Sequence, residues 1–62
     1  MATKIYVDGF LLDVIDTPTQ NMEEAALTPK VKAALQEEGK LVKRIVPIPK
    51  ERPQFIIIET IS

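Results

Sequence analysis

Lys40-Leu-Val-Lys-Arg-Ile-Val-Pro-Ile48, then Pro49-Lys-Glu-Arg-Pro53, then Gln54-Phe-Ile-Ile-Ile-Glu-Thr-Ile61 is the stretch whose reading decides the fold. Two β-branched runs flank a polar segment with a proline at each end, the pattern of a β-hairpin. This is the densest apolar surface in the chain, so the remaining residues are read as what covers it. If Ile48 faces Gln54, the connection is Pro49 to Pro53, and the register pairs Leu41 with Ile61, Lys43 with Glu59, Ile45 with Ile57 and Val46 with Ile56. Pro47, Pro49 and Pro53 lack amide donors, which predicts an irregular or edge-like strand end over Val46 to Pro53. Phe55-Ile56-Ile57-Ile58 is apolar at both parities of a strand, as expected where both sheet faces are covered.

Upstream, Thr28-Pro29 opens the clearest helix. Thr28 is suited to the N-cap, Pro29 to the first helical position, Val31, Ala34 and Leu35 form one stripe, and Gly39 stands just past the end. The stripe is narrow, and a single helix of this length cannot cover two hairpins. Its charges oppose the helix dipole, with Lys30 and Lys32 in the first turn and Glu37 and Glu38 in the last. The two lysines beside free helix amides are candidate anion contacts.

The chain begins with a second hairpin signal. Asp8-Gly9 separates Lys4-Ile5-Tyr6-Val7 from Phe10-Leu11-Leu12-Asp13-Val14-Ile15, and a type I′ turn needs positive φ at both central residues. The two-residue loop predicts Val7 facing Phe10, Ile5 facing Leu12 and Thr3 facing Val14 on one side. Tyr6 then faces Leu11 and Lys4 faces Asp13 on the other. This register collects Ile5, Val7, Phe10, Leu12 and Val14 on an apolar face and leaves Tyr6, Leu11 and Ile15 interrupting the opposite one, a candidate contact patch. Between hairpin and helix, Asp16-Thr17-Pro18-Thr19-Gln20-Asn21 is turn chemistry, and Met22 to Leu27 has the makings of one or two helical turns capped by Asn21.

These elements predict a small two-layer α+β domain of order β-β-α-β-β, with a mostly antiparallel four-stranded sheet and one main helix on one face. Residues 1–62 form a single domain: hairpin 3–15, linker and helix 16–39, hairpin 40–61. The second sheet face must be covered either by the Met22 to Leu27 segment or by another subunit, and the subunit is the expectation.

Composition narrows the chemistry. A chain of 62 residues buries only about 60% of the surface its unfolded form exposes, so its core needs a supplement. It has no Cys and no His, which excludes disulfides, thiolate metal sites and ordinary zinc or haem ligation, and leaves oligomerisation or very good packing. No cofactor is expected, and no catalytic residue is assigned: a nucleophile would have to be activated by Thr, Lys and carboxylates alone, and the two Gly are assigned to a turn and a helix cap. Neither a leader nor a membrane span is apparent, so the expected setting is cytoplasmic and away from membranes. Charge is uneven, at −4 over residues 1–28 and +3 over residues 29–62.

The expected function is a non-enzymatic protein–protein interaction module that self-associates, most simply as a dimer, through apolar sheet surface. Tyr6, Leu11, Ile15, Ile56 and Ile58 are its candidate interface residues. The alternative is a small nucleic-acid binder using the basic hairpin, with Lys43, Lys50 and Arg52, alongside Lys30 and Lys32, as phosphate contacts. Glu51 and Glu59 dilute that charge and aromatic residues are nearly absent from it.

Overall fold

The computed structural model describes residues 1–62. Its elements run β1 (Ala2–Val7), β2 (Phe10–Asp16), α1 (Met22–Ala26), α2 (Pro29–Glu38), β3 (Leu41–Ile48) and β4 (Phe55–Ile61). The four strands form one sheet in the order β2-β1-β4-β3. Both hairpins are antiparallel, and β1 joins β4 in parallel at the centre. The architecture is therefore the expected small α+β domain, with a short first helix added to the main one.

Local chemistry accounts for the element ends. Asp8 and Gly9 both take positive φ, 50° and 88°, as a type I′ turn requires. Thr28 accepts the Val31 amide at 3.2 Å, Pro29 occupies the first turn, and Gly39 closes α2 in the left-handed region at φ 65°. The Lys40 amide returns to the Leu35 carbonyl at 2.9 Å, completing a tight C-terminal cap. Asn21 departs from expectation. It adopts a left-handed conformation, its side chain makes no capping bond, and α1 is held instead by its backbone carbonyl, which accepts the Ala25 amide at 2.9 Å.

Both registers hold near one end of the hairpin and then slip by one residue. In the first, Val7 faces Phe10 and Tyr6 faces Leu11, but a bulge at Leu12 brings Asp13 opposite Ile5, Val14 opposite Lys4 and Ile15 opposite Thr3. The predicted Lys4–Asp13 pairing is thereby replaced. In the second, Leu41 faces Ile61, and a bulge at Lys43 then pairs Arg44 with Glu59, Ile45 with Ile58, Val46 with Ile57 and Ile48 with Phe55. The connection consequently runs from Pro49 to Gln54. A bulged residue adds one to a strand without advancing its partner, so every later side chain changes face. This is why Ile15 turns inward and Val14 outward.

The core lies on one side of the sheet only. Ile5, Val7, Ile56 and Ile58 are packed against Ala26 of α1 and Val31 and Leu35 of α2, with Leu12, Ile15, Leu27 and Ile45 partly buried around them. Helix α1 lies over β3 and α2 over β2, so both helices share one face. The Met22 to Leu27 segment therefore does not cover the second face. Loops close one end of the core: the buried Thr3 hydroxyl donates to the Pro53 carbonyl and lies 3.0 Å from the Thr17 hydroxyl. At the other end the Asp8 carboxylate gathers the Thr60 amide and hydroxyl and the Lys40 ammonium.

Candidate functional site

The face turned away from the helices is set by strand alternation. Tyr6 sits between the buried Ile5 and Val7, and Phe55, Ile57 and Glu59 alternate with the buried Ile56 and Ile58. Through the pairings, Leu11 and Val14 of β2 join Lys4 and Tyr6 of β1. Ile48, Val46, Arg44 and Leu41 of β3 join Phe55, Ile57, Glu59 and Ile61 of β4. No element of the chain lies over this surface.

Its apolar content is large for so small a chain. Leu11, Val14, Leu41, Ile48, Phe55 and Ile61 are all exposed on it, with exposures from 38% at Phe55 to 69% at Leu41. The rings of Tyr6 and Phe55 meet at 6.2 Å between centroids, tilted by 51°, near the middle of the face. A tilted pair at this separation is a favourable aromatic arrangement. Beside it, Met1, Ala2, Lys4, Gln54 and Phe55 line a shallow hollow of about 340 Å³. Exposed apolar surface of this kind makes the open face the candidate contact surface of the chain.

An ion pair crosses the face between the Val46–Ile57 and Leu41–Ile61 levels. Arg44 clasps both oxygens of Glu59 through one nitrogen at 2.8 Å. That contact holds the Glu59 carboxyl below its usual range and raises the guanidinium. Asp8, on the helix side, is held low first by the Thr60 hydroxyl and then by Lys40, whose nitrogen is 3.1 Å away. Asp13 is held low by the Thr28 hydroxyl and the Val14 amide. Each of these shifts stabilises the ionised carboxylate.

The candidate interface residues divide between the two faces. Tyr6 and Leu11 lie on the open face. Ile15 belongs to the helix side because of the Leu12 bulge, and Ile56 and Ile58 are 0% exposed beneath the helices, so the chain itself accounts for their burial. Sequence reasoning missed Val14, Ile48, Phe55 and Ile57 as members of the open surface. The apolar run at both parities of β4 was the signal for the last two; nothing in the sequence marked the bulges that place Val14 and Ile48.

The basic residues are exposed but dispersed. Lys30 and Lys32 lie in the first turn of α2, which packs over β2, with Lys30 near Asp13, whereas Lys43 is the bulged residue of β3 at the far edge of the sheet. Lys50 and Arg52 stand in the 49–54 connection, at the opposite end of β3 from Lys43. A second hollow, on the helix side, is a groove of about 270 Å³ lined by Val7, Phe10, Leu12, Ala34 and Leu35 with Asp8, Glu38 and Lys40 at its rim. The chain matches no family model, and neither curated proteins nor solved structures give a match.

Proposed function

We propose that the chain is a non-enzymatic protein–protein interaction module that self-associates as a dimer through the open face of its sheet. The observation that carries this reading is the distribution of apolar side chains: both helices lie on one face, and the other presents Tyr6, Leu11, Val14, Ile48, Phe55 and Ile57 with nothing over them. A sheet face of this composition is stable in water only at a cost that a partner removes.

Three features favour a face contact between two copies. Both edge strands carry a bulge, at Leu12 and at Lys43, and β3 also carries Pro47; these devices obstruct strand addition at an edge and leave the face as the route. The molecule measures 30 × 19 × 17 Å, so its broadest side is roughly 600 Å² in plan, at the lower end of what each partner of a specific complex buries. A net charge of −1 opposes self-association hardly at all.

Leu11→Asp tests the reading. Leu11 is 49% exposed on an edge strand, so the substitution leaves the fold intact by circular dichroism while shifting the protein from dimer to monomer in sedimentation. Retention of the dimer by this variant and by Phe55→Asp would remove the open face as the contact.

A further inference from the structure

We propose that the two copies pack open face on open face about a two-fold axis running across the strands, along the row of Tyr6 and Ile57, so that Lys4 of each copy meets Glu59 of the other. This rests on the self-association proposed above and adds its geometry and its register.

The parallel pairing sets a common scale along the strands. Lys4 is level with Phe55 and Tyr6 with Ile57, so Glu59 stands two residues beyond the Tyr6 row and Lys4 two residues before it. The face thus has an unpaired cation, Lys4, on one side of the Tyr6–Ile57 row and the Arg44–Glu59 ion pair at the same distance on the other. Lys4 has no ion-pair partner within the chain. Arg44 uses one bond to each Glu59 oxygen, which leaves further acceptor positions on both.

A dimer closed by a two-fold axis uses the same patch twice, and two sheets packed face to face keep their strands within about 30° of alignment. The axis then runs either along the strands or across them. An axis along the strands preserves level, so the Arg44–Glu59 pair lies beside its own copy and the unpaired Lys4 beside its own copy, like charge against like at the lysines. An axis across the strands inverts level about the Tyr6–Ile57 row. Lys4 then lies over the end that carries Glu59, and the contact forms twice. The sheets of such a sandwich are about 10 Å apart, a gap that the long lysine and glutamate side chains together span. Charge complementarity selects the second arrangement, because like-charge juxtaposition in an interface is strongly unfavourable.

The test is a set of charge reversals read by sedimentation equilibrium, with thermal unfolding confirming that each variant is folded. Lys4→Glu and Glu59→Lys, each alone, weaken dimerisation by at least about fivefold, since each places two like-charged pairs in the interface. An equimolar mixture of the two variants forms a heterodimer in which both contacts are again opposite in sign, with affinity within about twofold of the unmodified protein. The proposal is overturned if each single variant dimerises as the unmodified protein does; a mixture that then binds more tightly than the unmodified protein is the pattern of an axis along the strands. Failure of the underlying reading looks different: the unmodified protein is then a monomer throughout, or Leu11→Asp and Phe55→Asp both remain dimers.

Discussion

Ile5 and Ile56 lie opposite each other across the central parallel pairing, and both are completely buried. Their successors Tyr6 and Ile57 pair in the same way on the other side of the sheet, where no helix lies. One residue along either strand thus separates the core from the candidate interface, and substitutions at adjacent positions should have opposite consequences.

Ile56 tests the core side. Trimming it to Val is expected to cost about 0.5–1.5 kcal/mol and to Ala about 2–5 kcal/mol in urea unfolding, and with a core this small Ile56→Asp should abolish cooperative unfolding. Phe55→Ala, one residue away and 38% exposed, should leave the stability of the monomer far less affected while weakening association.

Thr28 tests the helix start. Its hydroxyl accepts the Val31 amide and also contributes to holding the Asp13 carboxyl low. Thr28→Ala should cost about 1 kcal/mol, the usual penalty for losing an N-cap, measured by thermal or urea unfolding. The carboxylate of Asp13 should titrate closer to its ordinary value in the same variant, which an NMR pH titration reads directly.

Acid should destabilise the fold in a defined window. Asp8, Asp13 and Glu59 titrate below their ordinary values of 3.8, 3.8 and 4.5, held there chiefly by Thr60, Thr28 and Arg44 respectively. A carboxyl whose folded pKa is depressed binds its proton more readily when unfolded, so its contribution is complete above the ordinary value and is lost as pH falls through the folded one. The melting temperature is therefore expected to stay level, as far as these three groups govern it, down to about pH 4.5 and to decline below it. Asp8→Asn should shallow that decline, because it removes the titrating group while keeping a side chain of the same shape.

Much of the fold was legible because single residues commit the backbone locally. Asp8-Gly9 permits a turn with two positive φ values, and Thr28-Pro29 with Gly39 brackets a helix, so both elements lie where the sequence puts them. The bulges were not legible. Leu11-Leu12-Asp13-Val14-Ile15 has apolar residues at both parities, so alternation does not specify which set turns inward. In the structure Ile15 pairs with Thr3 and packs, partly buried, against the core, while Val14 turns to the open face. In β3 the slip at Lys43 matches Arg44, rather than Lys43, to Glu59 and sets Ile45 beside Ile58. The same slips explain the mixed outcome for the candidate interface. Tyr6 and Leu11 precede the first bulge and keep their predicted face, whereas Ile15 follows it and changes sides. Ile56 and Ile58 were ambiguous because β4 is apolar on both faces, and only the position of the helices decides which of its residues form the core.

The solution mass across a concentration series, by light scattering or sedimentation, tests the central claim most directly. A protein whose open sheet face is its self-contact should move from a monomer of 7.0 kDa at low concentration to a species of twice that mass as concentration rises. A mass of 7.0 kDa at every concentration would contradict the account.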